Sequence, residues 1–155
     1  MPTAKVRNPR KKFLFSITFA KHPINSYLAQ KVTLPDIEIE EATHGDVNRD
    51  VKTAGRVKIG DLIVEKLSST SGSDTWAHDW LSACQDCILG GGLVPEQYWE
   101  TIIVNELAED GKSVLNTHIY DEVWPKKITG LDLDRQSSEN TIEHVEFSVG
   151  TADNL

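Results

Sequence analysis

The chain has 155 residues, a formal net charge of −8 and 39% apolar residues. That length suits one domain, read here as 1–155, built on a single core. The acidic balance excludes a basic groove that wraps nucleic acid, and no apolar run is long enough for a membrane-spanning helix.

Residues 1–11 form a basic arm with Lys5, Arg7 and Arg10. No apolar segment follows it, so it is not a signal peptide. It reads either as a solvated tail or as an arm that orders against a neighbouring subunit. Residues 13–19 are the first strand, with Phe13, Phe15, Ile17 and Phe19 on one face by the two-residue period. His22-Pro23-Ile24-Asn25-Ser26 reads as a turn. Residues 31–41 are the second strand, in which Ile37 and Ile39 alternate with Asp36, Glu38 and Glu40. One of its faces is apolar and the other is a row of carboxylates, which costs stability if nothing opposes it.

Residues 42–54 are polar and read as a long inter-strand loop, a kind that is often functional in a compact domain. Residues 55–67 return as a strand, and a bulge near Gly60-Asp61 would let Val57, Ile59, Leu62 and Val64 all face the core. A small polar linker at 68–73 leads to a helix over 74–89, capped by Ser73 or Asp74. Trp76, Trp80, Leu81, Cys84, Cys87 and Ile88 fall on its apolar stripe. Gly90-Gly91-Gly92 stops it, and Pro95 prevents its resumption.

The chain's strongest hairpin follows, with arms at 98–107 and 113–123 and Asp110-Gly111 at the turn. Trp124-Pro125-Lys126-Lys127-Ile128 closes it. The last strand is 141–149, and 150–155 is a polar tail. About six strands and one helix, with no strand–helix alternation, predict a mainly β protein. The expected form is an antiparallel β-barrel or sandwich with one flanking α-helix.

Candidate chemistry is sparse. Cys84-x-x-Cys87 lacks the further ligands of a zinc site and sits at the wrong end of its helix for a redox pair. Both cysteines therefore read as buried packing in a chain made in a reducing cytoplasm. His78-Asp79 has no nucleophile elbow with it, and the triple glycine follows a helix instead of opening one onto a phosphate. Asp36, Glu38 and Glu40 alternate along a strand, an arrangement that does not wrap calcium. No catalytic residue, metal or cofactor is expected.

Several segments together resemble a known family. They are the Phe-rich first strand, the hairpin with a long polar loop, the tryptophan-bearing helix and the Asp-Gly hairpin. More telling are Trp124-Pro125-x-Lys127-Ile128, the closing Ile142-Glu143-His144-Val145-Glu146 and Lys52-Thr53-Ala54-Gly55. The chain resembles the tail tube proteins of tailed phages, most like those of contractile tails. These are related to the inner-tube proteins of type VI secretion and extracellular contractile injection systems. The family's usual segment before the second strand is not recognisable in 27–35.

The resemblance implies hexameric rings with a continuous inner β-barrel, stacked into a tube in the virion tail and assembled in the host bacterial cytoplasm. It implies sheath, baseplate, tail-terminator and tape-measure partners, and genomic DNA in transit without specific binding. An effector-carrying tube of a secretion or injection system is the alternative, and a monomeric β-sandwich binding module is a more distant one. Under the tube reading, Asp36, Glu38, Glu40 and Glu146 are expected to face the lumen and repel DNA. Contacts between rings are expected from Lys5, Arg7 and Arg10 of the arm. They are also expected from His44, Gly45, Asp46, Asn48, Arg49, Asp50 and Lys52 of the loop.

Overall fold

The computed structural model describes residues 9–21, 29–67 and 75–154. The expected turn at 22–26, the linker at 68–73, the capping Ser73 and Asp74, and Lys5 and Arg7 of the arm lie outside the described residues. Nine strands occur among those described: β1 (Phe15–Phe19), β2 (Ala29–Thr33), β3 (Ile37–Gly45), β4 (Asp50–Ile59), β5 (Leu62–Leu67), β6 (Glu100–Leu107), β7 (Val114–Thr129), β8 (Ile142–Ser148) and β9 (Thr151–Asn154). Helix α1 (Trp76–Cys84) and a single turn, α2 (Pro95–Tyr98), complete the set.

The main sheet is antiparallel, in the order β1-β6-β7-β8-β5-β2, with β9 also beside β7. Its axis is β7, a strand of 16 residues. The first half of β7 pairs with β6 and β9, and the second half pairs with β8. The bend between them falls at Glu122, which has φ 56°, a region that L residues enter at a cost. On the facing chain, β8 and β9 break at Val149-Gly150, and the Gly150 amide donates to Asp121 O at 3.1 Å. Pro125 cannot donate to the ladder and sits at a register shift in which Lys126 is the extra residue.

Alternation along the strands then builds the core. Ile17, Phe19, Leu62, Val64, Ile102, Val104, Tyr120, Val123, Val145 and Phe147 are all buried. Helix α1 covers them with Trp76, Ala77 and Trp80, the i, i+1 and i+4 positions of one stripe. Trp76 meets the Phe19 ring edge-on at 5.3 Å, and Trp80 lies 5.4 Å from Phe147. Trp80 Nε1–H donates to Tyr98 O at 2.7 Å, which ties α1 to α2.

Several expectations need correction. The 31–41 strand is two strands, parted by Leu34-Pro35-Asp36. The 42–54 loop is instead the outer part of a two-stranded ribbon, β3–β4, with a tight turn at 46–49. Its polar composition hid the strands, because a ribbon with no covered face needs no apolar alternation. Gly60-Asp61 is a break between the ribbon and β5, not a bulge that turns both apolar pairs inward; Val57 remains 59% exposed. Helix α1 ends at Cys84, because the chain doubles back through Gly90 and Gly91, both at positive φ, and the Leu93 amide bonds Ala83 O. Cys87 and Ile88 are consequently exposed, not on the buried stripe. The polar tail after 150 contains a paired strand, β9. The main sheet is not a closed barrel, since β1 and β2 are its two ends.

Two measurements test this architecture. A Cβ on Gly150 would stand 2.6 Å from the Cβ of Glu122. Gly150→Ala should therefore cost about 1–3 kcal/mol in urea unfolding, and Glu122→Gly in the same chain should recover most of it by removing the crowding and the positive φ. In the β6–β7 turn, the Asp110 carboxylate accepts the Ser113 hydroxyl and the Lys112 and Ser113 amides, which lowers its pKa from 3.8 to about 2. The depressed value means that its contribution is present above pH 3.8 and lost as pH falls toward 2. The urea midpoints of the wild type and Asp110→Asn should differ most at neutral pH and converge toward pH 2.

Candidate assembly surfaces

The ribbon is the first exposed surface. Its strands pair from Ile37↔Ile59 to Gly45↔Asp50, with a shift between Ile39 and Glu41. Gly55 lies at the shift, where a Cβ would stand 2.9 Å from Glu40 O. On one face Ile37, Ile39 and Val57 are 63%, 58% and 59% exposed. The other face carries Glu38 and Glu40, with Lys58 Nζ 2.8 Å from Glu40 Oε1. At the tip Val47 is 92% exposed, and the Asp46 carboxylate accepts the Val47 amide. The expected ring-contact residues His44, Gly45, Asp46, Asn48, Arg49, Asp50 and Lys52 are brought together in this outer half, and all are exposed.

The second surface is the seam of the main sheet. Among the described residues β1 pairs only with β6, and β2 only with β5, so each ends the sheet. Between them opens a cleft of about 990 Å³ lined by Phe13, Phe15, Ile17, Val32, Leu34 and Val104. Arg10 lies near it but is held by its own subunit, 3.0 Å from Glu106 Oε2. Partial burial opposes ionisation of Glu106, yet hydrogen bonds from Asn116 and His118 and the Arg10 charge outweigh it and lower its pKa. Burial, with the Glu106 charge beside it, pushes the stacked Tyr120 hydroxyl up to about 12.

The third surface is the sheet face turned away from the core. Over β1, β6 and β7 it carries an uncharged ladder, in which Thr117 Oγ1–H donates to Asn105 Oδ1 at 2.9 Å and Asn105 Nδ2–H to Ser16 Oγ at 3.4 Å, and one carboxylate, Asp121, which accepts the Thr101 hydroxyl at 2.6 Å. Over β5 and β8 it places two carboxylates, Glu65 and Glu146, around one histidine. His144 Nδ1 is 3.1 Å from Glu65 Oε1, and its Nε2 is 3.7 Å from Glu146. Glu146 is therefore on the main sheet, while Glu38 and Glu40 are on the separate ribbon and Asp36 is at its root. The structure does not bring the four expected wall carboxylates together. The sequence reading missed Glu65 and His144; their direct register across β5 and β8 is set by strand pairing, which no local motif encodes.

Beneath this face lies a buried ion pair. Lys66 and Glu143 are cross-strand neighbours, 1% and 6% exposed. Lys66 Nζ is 3.1 Å from Glu143 Oε2, a Coulombic contact without hydrogen-bond alignment, and lies 5.9 Å from the Trp76 ring centre. Burial pushes the Cys84 thiol up to about 11, away from nucleophilic use. His78 and Asp79 are surface residues, and among the described residues no cluster of three potential metal ligands occurs.

The model of the family described as T4-like virus tail tube protein gp19 matches residues 11–151. The chain belongs to this family. No curated protein sequence matches it. The tail tube fold is also similar to a chain in the PVC sheath-tube complex of an extracellular contractile injection system in the extended state. There the TM-score is 0.77 at 15% identity, over 97% of this chain and 93% of that one. A chain of the anti-feeding prophage tube-terminating cap gives 0.80 at 16% identity, over 99% and 95%. The PVC sheath/tube terminator in the extended state gives 0.79 at 16% identity, over 97% and 99%. The tail tube chain is thus mainly β, antiparallel and carries a flanking helix.

The buried pair predicts an asymmetry. Lys66→Met should cost about 3–5 kcal/mol in chemical unfolding, because it strands the Glu143 carboxylate. The double change Lys66→Met/Glu143→Leu should be far milder, since two apolar side chains replace the whole pair.

Proposed function

We propose that this tail tube protein is the repeating subunit of a contractile-type phage tail tube. In this reading it forms hexameric rings that stack into a conduit for DNA. The observation that carries the reading is the family match over residues 11–151, on a fold whose sheet is left open at both ends. Free strand edges recruit other strands. A ring converts that hazard into a contact, while head-to-tail stacking leaves growth open along the axis. The role is structural, not enzymatic.

The core-averted sheet face, with Glu146, Glu65 and the Ser-Thr-Asn ladder, is the proposed lumen wall. It carries the carboxylates Glu65, Glu146 and Asp121 and an uncharged Ser-Thr-Asn ladder, and so offers a phosphate backbone few strong cations. Asp36, Glu38 and Glu40 sit on the ribbon and its root, and we assign them to contacts between subunits. A cryo-EM map of the assembled tube with Glu146 on its outer wall would refute the wall assignment. Sheath, baseplate, tail-terminator and tape-measure proteins are the proposed partners, with assembly in the host cytoplasm and residence in the virion tail. The likeness to injection-system chains supports a second reading, an inner tube carrying protein effectors.

Negative-stain microscopy of the purified protein tests the proposal. Wild-type protein should form rings or stacked tubes. A chain lacking residues 43–52 should lose the outer part of the ribbon and keep its unfolding transition, but form no tubes. Tubes of normal length from the deletion would remove the ribbon from any role in assembly.

A further inference from the structure

The tube reading gives the ribbon a role in assembly. It does not say what fixes the ribbon's direction. Among the described residues, β3 and β4 pair with each other and make no substantial packing contact with another element. They are tied together by backbone pairing from Ile37↔Ile59 to Gly45↔Asp50 and by the Lys58–Glu40 and Lys52–Glu41 contacts. The ribbon therefore moves as one body, and its root sets where it points. Strands of 9 and 10 residues reach about 30 Å at ~3.3 Å per residue. At that length a turn of about 10° at the root displaces the tip by about 5 Å.

Two chain crossings form the root. On the β2 side, Leu34 packs against the core, and Pro35 is buried with its φ fixed by the ring. On the β5 side the crossing is Gly60-Asp61. Ile59 packs against the core, but Gly60 has no side chain to restrain it, and its amide donates to Asp36 O at 2.8 Å. Asp61 is gripped from the main sheet. Lys126 Nζ lies 3.0 and 2.8 Å from the two Asp61 carboxylate oxygens. Strand β8 separates the two residues: Phe147 pairs with Leu62 of β5 on one side and with Pro125 of β7 on the other. Lys126 therefore reaches over two strand spacings, about 10 Å of sheet, which takes a long side chain. The bulge supplies it. As the extra residue between Pro125↔Phe147 and Lys127↔Glu146, Lys126 has no partner on β8, and a bulge re-aims the side chain it carries. The hydrogen bonds to Asp61, with the Asp61 and Glu146 charges beside them, hold the Lys126 ammonium above the ordinary lysine pKa against some desolvation.

We propose that Lys126 is a positioning residue for assembly: it spans β8 to hold Asp61, and so fixes the angle at which the β3–β4 ribbon leaves the main sheet. The effect on assembly rests on the tube reading; the angle does not. An exposed ion pair adds little to global stability, so the fold does not need this one. Its loss acts instead on the spread of ribbon directions. An element already held in its bound direction loses less freedom when it is engaged, and a repeating assembly meets that cost at every subunit.

Double electron–electron resonance on the unassembled subunit tests the angle. Cys84 and Cys87 are first changed to Ser, and spin labels are placed at Thr43→Cys in β3 and Thr129→Cys at the exposed end of β7. With Lys126 and Asp61 in place, the distance distribution should be narrow. Lys126→Met and Asp61→Asn should each broaden it by roughly twofold, the scale on which a weak exposed pair shifts populations. In the unlabelled chain both changes should leave the urea midpoint unchanged and lower the assembled fraction by roughly threefold or more. Lys126→Arg, and the exchange Lys126→Glu/Asp61→Lys, should restore the narrow distribution and the assembly. A distribution that is broad with both residues in place, or equally narrow without either, overturns the proposal whatever the tubes do. Broadened distributions with wild-type assembly in both variants overturn the positioning role and leave the tube reading standing. Failure of the wild type to form any ring or tube overturns the tube reading and the assembly role with it, while the distances still decide the angle.

Discussion

The structure depends on one strand that belongs to both halves of the sheet. β7 pairs with β6 and β9 over its first half and with β8 over its second. It can do so only because it bends at Glu122, against the Gly150 gap in the facing chain. The Phe19, Trp76, Trp80 and Phe147 rings pack together on the face of this open sheet that α1 covers. A straight strand would leave those rings on a flat surface that a helix of 9 residues covers poorly. The positive φ at Glu122 is a local cost borne by the packing it permits.

The same curvature leaves the sheet incomplete. β1 and β2 end up as edges with an apolar cleft between them, and the β2–β5 hairpin runs on into a ribbon with an uncovered apolar base. In an isolated globule these would be liabilities. In a tail tube, edges and exposed apolar residues of this kind are available for contacts between subunits.

Charge is handled locally. The net charge of −8 suggested a wall lined with repelling carboxylates. The core-averted face carries Glu65 and Glu146 around His144, and continues as hydroxyls and amides with one further carboxylate, Asp121. The protein also buries one ion pair, Lys66 and Glu143, beside Trp76. Such pairs add little net stability but are costly to break singly, so this one ties β5 to β8 in a single register.

The amino-acid sequence alone determined the mainly β class, the Asp-Gly hairpin, the Phe-rich first strand and the start of the tryptophan helix. Each rests on local rules: a two-residue period, a turn dipeptide, a 3.6-residue stripe. The family, too, was legible, in short segments such as Trp124-Pro125-x-Lys127-Ile128. Tertiary structure decided everything that turns on which strand lies beside which. A polar segment at 42–54 became half of a ribbon because its partner strand, not its own hydrophobicity, satisfies its backbone. Ile37 and Ile39 alternated like core residues and came out exposed, because period two specifies a face and never says whether anything covers it. Glu146 parted from Asp36, Glu38 and Glu40 for the same reason: strand register and sheet membership are set by contacts distant in sequence, which no local pattern records.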